Sequence, residues 1–273
     1  MKKRFTTGII HLAPILASLI FGMICAFLIL TSSMEIYEIT PFPEGTGSIG
    51  NAVYFVALVG IGAFLLYLLL KRKNQVLINW ITGFALTAAV FMLSIIYLSA
   101  LFSWFTIPNV DAVILILPFF ITALAYVAIF RLRSAASDIT VLCIGGALGA
   151  FLGATVPTLS TVLILGFLAV YDAFAVYHGP VGKIARSGLE QLRGLSFSFK
   201  DVQMGLGDLT FYSMLSGHML LNFGVFSSLA SIVGILFGCL VSFKLLEKKG
   251  MFPGLPFPIV FGLTAGFLAS QII

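Results

Sequence analysis

The fold of this chain is decided by residues 205–215, which read Gly-Leu-Gly-Asp-Leu-Thr-Phe-Tyr-Ser-Met-Leu. Asp208 lies a few residues inside a segment that has the composition of a membrane span. An ionisable side chain in hydrocarbon is costly, so Asp208 is a candidate functional residue. The chain carries one other acid at comparable depth, Asp172, within an apolar stretch at 169–174. We expect the remaining segments to hold these two acids together in a partly hydrated site.

The composition is that of a polytopic membrane protein. Of the 273 residues, 60% are hydrophobic and 9% are charged, whereas soluble domains carry about 25% charged residues. The three cysteines, Cys25, Cys143 and Cys239, lie in three different apolar segments. An odd number of scattered cysteines argues against a disulfide framework and against a metal cluster. We expect no metal and no other cofactor.

Nine apolar segments approach the roughly 20 residues that a helix needs to cross a bilayer. The first is longer than a signal-peptide core, so we expect it to be retained as a span. We predict an all-α polytopic protein with a single membrane domain over 1–273. It has helices 1–6 in 1–177, a cytoplasmic loop at 178–203 and helices 7–9 in 204–273. The predicted spans are 9–30, 51–70, 76–102, 112–130, 139–156, 158–177, 204–222, 225–243 and 255–272.

The basic residues test this count independently, because Lys and Arg favour cytoplasmic loops. With the N-terminus inside and the spans alternating, the inside segments contain all 15 Lys and Arg residues. The outside segments contain Glu35, Glu38, Glu44 and Asp111. We therefore predict a multi-pass protein of the cell membrane with a cytoplasmic N-terminus and an external C-terminus. The net charge of +5 is then a topology signal spread over short loops, and we expect no nucleic-acid partner.

Glycines at four-residue spacing predict close contacts between helices, because they line one helix face and let backbones approach. We assign these glycines a packing role and no chemistry. They are Gly145, Gly149 and Gly153 in the fifth span, Gly234 and Gly238 in the eighth, and Gly262 and Gly266 in the ninth.

The long inside segment contains an alternating stretch at 195–200. Leu195, Phe197 and Phe199 alternate with two serines and a lysine. A period of two is typical of a short strand. A surface loop lying on the lipid headgroups is the alternative.

The two acids are expected at the same depth in the membrane. Asp172 lies about five residues before the inner end of the sixth span, and Asp208 about four residues after the inner start of the seventh. At 1.5 Å per residue, both carboxyl groups lie roughly 6–8 Å below the inner boundary. Equal depth on consecutive helices is what a catalytic pair requires.

Two carboxyl groups in a site of low dielectric constant do not easily both ionise, so we expect them to share one proton. The ionised member takes a proton from a water molecule that attacks a peptide carbonyl, and the protonated member donates to the carbonyl oxygen. Gly205 and Gly207 would leave room beside Asp208. Tyr171 is a candidate for orienting Asp172 or lining the pocket.

A proline-rich stretch, 253–258, opens the last span at the same depth. Its three prolines and one glycine prevent a regular helix and leave backbone groups unpaired. Within a membrane, such backbone is tolerated where it faces protein or a water-filled cavity. We expect it to face the two acids and to help grip an extended peptide.

Three motifs together resemble those of presenilin and signal peptide peptidase. Tyr171-Asp172, 205–208 and 253–256 are similar to the family's Tyr-Asp, Gly-x-Gly-Asp and Pro-Ala-Leu motifs, in the same order and on spans six, seven and nine. One departure is Gly254, where the family usually has alanine. This is a change of small for small and would leave the start of span nine looser. The charge bias matches the orientation of presenilin rather than the inverted one of signal peptide peptidase, and the short loops resemble a microbial, archaeal-type presenilin homologue.

The resemblance implies an intramembrane aspartic endopeptidase, a hydrolase that cleaves transmembrane segments of proteins in the lipid bilayer. It implies Asp172 and Asp208 as the catalytic pair, and substrates whose N-terminus lies outside. The number of copies in an assembly stays open, and a homo-oligomer is one alternative. The implied supporting residues are Tyr171, Gly205, Leu206 and Gly207, and those implied for substrate docking are Pro253, Gly254, Leu255, Pro256, Phe197 and Phe199.

Two other functions share some of these features. A proton- or cation-coupled transporter would also carry paired acids and a broken helix, but here the acids lie near one face and the chain shows no internal repeat. A prepilin-type Gly-x-Gly-Asp peptidase would leave the span-nine motif unexplained. His218 lies about 80° around the helix from Asp208, so we do not expect it to join the pair.

Overall fold

The computed structural model of the chain describes residues 8–72, 74–105, 110–132, 135–177, 194–199, 202–249 and 252–272. Within these ranges the chain forms nine helices and one two-stranded hairpin. The first helix follows a 3-10 turn at Ile9–Leu12. The elements are α1 (Ala13–Thr31), α2 (Ser48–Lys71), α3 (Gln75–Phe102), α4 (Val110–Phe130), α5 (Ala135–Thr155), α6 (Thr158–Tyr177), β1 (Ser196–Phe199), β2 (Val202–Gly205), α7 (Leu206–Phe223), α8 (Val225–Lys249) and α9 (Pro256–Ile272).

The predicted all-α class and the nine predicted helical segments are confirmed. In the described part of the chain, seven helices are long and apolar enough to cross a membrane. The other two are α7 and α9. The latter has only 17 residues, and α7 carries Asp208, His218 and Asn222 within its 18 residues. The orientation of the two termini stays a prediction.

The centre of the bundle is α7, which packs between α5, α1 and α8. The glycines of α5 make this contact possible, because a Cβ at Gly149 or Gly153 would overlap the α7 backbone at Thr210 or Met214. Close approach of backbones supplies the van der Waals contact that drives helix association in lipid. The predicted packing role of these glycines is confirmed.

The pair α8 and α9 is built in the same way. A Cβ at Gly234 would overlap the carbonyl of Phe261, and one at Gly238 would overlap Pro258. On α9, Gly262 lies against Ile235 of α8. This tight pair fixes the start of α9, and with it the position of the irregular segment 252–255 that precedes the helix.

Within the alternating stretch, Ser196–Phe199 form a strand, so the strand prediction is confirmed and the surface-loop alternative is wrong. β1 pairs antiparallel with β2, with Phe197 opposite Met204 and Ser198 opposite Gln203. The hairpin continues into α7, where the N–H of Leu206 donates a hydrogen bond to the carbonyl of Leu195 at 2.8 Å. Residues 178–193 of the predicted loop lie outside the described residues, as does Lys200.

The hairpin corrects the predicted start of the seventh span, which was placed at 204. Residues 202–205 are β2, and Gly205 has extended backbone angles (φ −77°, ψ 150°) as the N-cap of α7. The helix therefore begins at Leu206, and Asp208 is its third residue. A local count of apolar residues does not reveal this boundary, because β2 and the start of α7 are both apolar.

Candidate active site

The two acids line one cavity of about 410 Å³. Asp172 reaches it from the last third of α6, and Asp208 from the first turn of α7. The carboxyl groups are close enough to interact electrostatically. The remaining walls come from β2, from one face of α8 and from residues 252–254. Four separate parts of the chain thus meet around the acids.

The spacing of the Gly-x-Gly-Asp motif orients Asp208. Gly205 is the N-cap residue of α7, so Asp208 is at position N3. From N3 a carboxylate can reach back to the N–H of the N-cap residue, and the backbone of Gly205 lies close to the Asp208 carboxyl group. The positive end of the α7 dipole also favours a negative charge in the first turn. The motif therefore holds the acid in place by local geometry.

The carboxylate of Asp172 is held by a different element. The N–H of Leu255 donates to its Oδ2 at 3.0 Å. The backbone of Gly254 also lies close to this carboxyl group. Pro253 and Pro256 flank this stretch and keep it out of a helix, which leaves the N–H of Leu255 free to point at the acid. The irregular backbone predicted from the prolines thus binds one member of the pair.

Gly254 lies against the other member. A Cβ at this position would be 2.9 Å from Oδ2 and 3.1 Å from Cγ of Asp208. Only a hydrogen atom on Cα lets the segment approach this closely without displacing the acid. The glycine at this position therefore has a local reason, which is the lack of space beside Asp208.

Tyr212 is a residue of the site that the motif analysis missed. It lies one turn after Asp208, is 1% exposed, and donates its hydroxyl to the carbonyl of Gly254 at 2.9 Å. The segment 252–255 is thereby bonded to α7 through Tyr212 and to α6 through Asp172. One signal was present in the sequence, since a tyrosine buried in a membrane needs a partner for its hydroxyl.

Several predicted site residues do not line the cavity. Tyr171 points at Gly60 of α2, and Leu206 packs against Gly145 of α5. Leu255 is buried and contributes its backbone N–H, and Pro256 is the first residue of α9. Their predicted supporting and docking roles stay predictions.

The predicted docking surface on β1 needs correction. Phe197 is 3% exposed and belongs to the core, and Phe199 packs against the same core. Residues 202–205 of β2 line the cavity instead. The two aromatic side chains anchor the hairpin to the bundle, and the neighbouring strand faces the acids.

His218 lies in a separate network, away from the acids. Its Nδ1 donates to the carbonyl of Gly153 at 2.9 Å, and its Nε2 is 3.1 Å from the hydroxyl of Thr158. These contacts join α7 to the α5–α6 connection. Among the described residues, no group of three or more His, Cys, Asp and Glu side chains is placed to hold a metal ion.

Comparisons with known proteins address the family directly. A family profile described as signal-peptide peptidase, presenilin aspartyl protease matches residues 17–186, more than half of the 273 residues. No curated protein matches the chain.

Two solved structures of a presenilin-family intramembrane aspartate protease, an archaeal homologue, superpose on the chain. The structure in space group C222 is 19% identical and covers 96% of this chain and 97% of its own, with a TM-score of 0.67. The structure in space group P2 is 22% identical and covers 96% and 98%, with the same TM-score. At these identities the similarity shows a shared fold, and this fold extends over Asp208 and the α9 motif, beyond the profile match. The chain therefore belongs to the signal-peptide peptidase and presenilin family of aspartyl proteases, which are peptide hydrolases of the membrane.

Proposed function

We propose that this chain cleaves transmembrane segments of other membrane proteins with a water molecule activated by Asp172 and Asp208. The observation that carries the proposal is the shared cavity, in which two acids from different helices lie beside one irregular backbone segment. Leu255 and Tyr212 bond that segment to α6 and α7. An arrangement of this kind keeps two acids at a fixed separation in a low-dielectric site.

The proposed reaction needs one proton between the two carboxyl groups. The ionised carboxylate takes a proton from water while the water oxygen attacks the carbonyl carbon of the scissile peptide bond. The protonated carboxyl donates to the carbonyl oxygen, which gives a tetrahedral gem-diol. Collapse of this intermediate breaks the C–N bond, and the amine leaves with a proton returned by the acid pair.

A transmembrane substrate must unwind before water can attack its backbone, because helical hydrogen bonds shield the peptide carbonyls. β2 supports the proposal here, since it lines the cavity along 202–205. An extended segment that adds to an existing strand gains main-chain hydrogen bonds in place of those lost on unwinding. We propose that the substrate lies beside β2, with the scissile bond next to Asp208.

The orientation of the substrate follows from the proposed topology. If all 15 basic residues lie in inside segments, the acids are near the cytoplasmic face. The resemblance to presenilin then favours substrates whose N-terminus is outside. Proteolysis of a reporter that carries the same transmembrane segment in both orientations tests this part of the proposal.

The direct test is cleavage of a transmembrane peptide by purified protein in detergent. Asp172→Ala or Asp208→Ala should each lower the rate by about 10²- to 10⁴-fold, the range for loss of a general acid or base. Asp111→Ala is the matched control, because Asp111 is an exposed acid in the first turn of α4. Full activity in either cavity variant contradicts the acid pair. Ion flux that depends on these acids, without proteolysis, would support a transporter instead.

A further inference from the structure

The wall of the active-site cavity formed by α8 has no part in the proposed reaction. This wall contributes Cys239, Ser242, Phe243 and Leu246. Three of the four are apolar or weakly polar, as expected for a site that receives a membrane segment. Ser242 is the exception, because its side chain carries a hydroxyl.

The hydroxyl of Ser242 has no hydrogen-bond partner within the described part of the chain, and the residue is 6% exposed. Hydroxyls in membrane helices usually bond to the carbonyl four residues earlier. Thr210 does so with Leu206 at 2.9 Å, and Thr264 with Val260 at 2.7 Å. Ser242 does not use the carbonyl of Gly238 in this way, so its donor remains available.

Ser242 differs from the other buried hydroxyls that share this property. Six side chains in the described ranges have a buried, unpartnered hydroxyl. Of these six, Ser242 alone lines the cavity that contains the acids. A buried polar group without a partner needs a physical reason. A ligand that binds in the cavity would supply the missing hydrogen-bond partner.

Ser242 is connected through α8 and Tyr212 to the irregular segment 252–255. Cys239 lies three residues earlier and contacts the hydroxyl of Tyr212, which bonds to Gly254. Ser242 is therefore about one turn further along α8 than the Tyr212 contact. The backbone of β2 is on another wall of the same cavity. A peptide lying along β2 would therefore share this cavity with Ser242.

We propose that the hydroxyl of Ser242 donates a hydrogen bond to a backbone carbonyl of the extended substrate beside Asp172 and Asp208. This inference rests on the proposed proteolytic function and adds a substrate-positioning residue on the α8 wall of the cavity. Unwinding exposes substrate carbonyls on both edges of the peptide, and β2 can bond to only one edge. Ser242 supplies a donor for the other edge without placing a charge in the cavity.

Steady-state cleavage of the transmembrane peptide by Ser242→Ala tests the proposal. Loss of one neutral hydrogen bond should raise KM by about 3- to 10-fold, with kcat within about twofold of the parent value. Ser242→Cys keeps a weak donor of similar shape, so its KM should lie between those of the parent and Ser242→Ala. Ser231→Ala is the matched control, because Ser231 is another buried, unpartnered serine of α8 that does not line this cavity.

Binding of the same peptide to an inactive Asp208→Asn background gives a second measurement that does not depend on catalysis. Adding Ser242→Ala should weaken the Kd by the same factor as it raises KM, whereas adding Ser231→Ala should not change it. Equal Kd values for the two double variants would overturn the proposal. A fall in kcat without a change in KM or Kd would also overturn it and would assign the hydroxyl to the attacking water.

Failure of this inference is distinguishable from failure of the proposed function. If the parent protein cleaves the peptide and Asp208→Ala does not, the acid pair stands whatever Ser242→Ala does. If the parent protein cleaves nothing and binds no peptide, both proposals fall. Ser242→Ala could also lower thermal stability while Ser231→Ala does not. If KM is then unchanged in Ser242→Ala, Ser242 has a packing role and its proposed substrate contact is overturned.

Discussion

The helices α7 and α2 belong to the same membrane bundle but have opposite surroundings. Of the 18 residues of α7, twelve are buried, and among the 24 residues of α2 only Ser48, Asn51 and Ala52 are. By length and hydropathy α2 is a membrane span and α7 is not. The polar helix is therefore the one that protein surrounds, and the apolar helix is the one that faces lipid.

This comparison shows that hydropathy in a membrane protein reports what a helix faces. A helix in contact with lipid must be apolar, because its side chains have no polar partner there. A helix enclosed by other helices can carry polar side chains if its neighbours pair with them. His218 of α7 bonds to α5 and α6, and Asp208 lies close to the backbone of its own N-cap residue, Gly205. Asp208 is tolerated in the bundle because α7 is central.

The largest expected effect comes from the surface on which α7 packs. Gly149→Leu would place a side chain inside the α7 backbone, and overpacking of this kind costs about 3 kcal/mol or more. We expect loss of folded, active protein, measured by thermal unfolding in detergent. Gly62→Leu on α2 is the control, since a Cβ there meets nothing within 4 Å. Equal loss of stability in both variants would contradict the contrast between the two helices.

A smaller effect is expected at Tyr212, which joins α7 to the segment beside the acids. Tyr212→Phe removes the hydrogen bond to Gly254 and leaves a buried carbonyl without its partner, a loss of about 1–3 kcal/mol. Without this bond α7 no longer holds segment 252–255, whose Leu255 N–H bonds to Asp172. We therefore expect the cleavage rate to fall by roughly 10-fold, mainly in kcat.

The corresponding control on α2 is Tyr54→Phe, because Tyr54 is largely exposed. This variant should keep both the cleavage rate and the unfolding temperature of the parent protein. If Tyr212→Phe lowers the unfolding temperature but leaves kcat unchanged, Tyr212 supports the fold and does not position the site.

The smallest expected effect concerns Gly254, which touches Asp208. Gly254→Ala would bring a Cβ to 2.9 Å from Oδ2 of Asp208, so the acid or the segment must shift by a few tenths of an ångström. We expect a fall in kcat of about two- to fivefold with an unchanged unfolding temperature. Gly166→Ala on α6 is the control, because a Cβ there meets nothing within 4 Å. Higher activity in Gly254→Ala would show that this glycine does not serve close approach.

Much of the fold was predictable from the sequence, because apolar length is a local property of a segment. Apolar length identified the nine helical segments, four-residue spacing identified the packing glycines, and alternation identified the strand within 195–200. The start of α7 was not, because β2 and the helix share an apolar composition, and strand pairing depends on a partner elsewhere in the chain. The hairpin therefore displaced the predicted helix boundary from 204 to Leu206.

The candidate site was predictable only in part. The two acids stood out because a carboxyl group in an apolar segment is rare and costly. Phe197 and Phe199 are predicted for substrate docking, but Phe197 is buried in the core and the partly buried Phe199 packs against it. Alternation showed that the strand has two faces and did not show which face is buried. Tyr212 and Ser242 went unnoticed, because a tyrosine or a serine in a membrane helix is common.

The sequence by itself determined the class of protein, the helical segments and the pair of acids. Each of these follows from the cost of placing charge or unpaired backbone in hydrocarbon, which acts on every segment separately. Only the tertiary structure decided that α7 is central, that β2 lines the cavity, and that Tyr212 holds Gly254 while Ser242 lines the same cavity with an unpartnered hydroxyl. These facts depend on how each helix is rotated and how closely its neighbours approach, and packing between distant segments sets both.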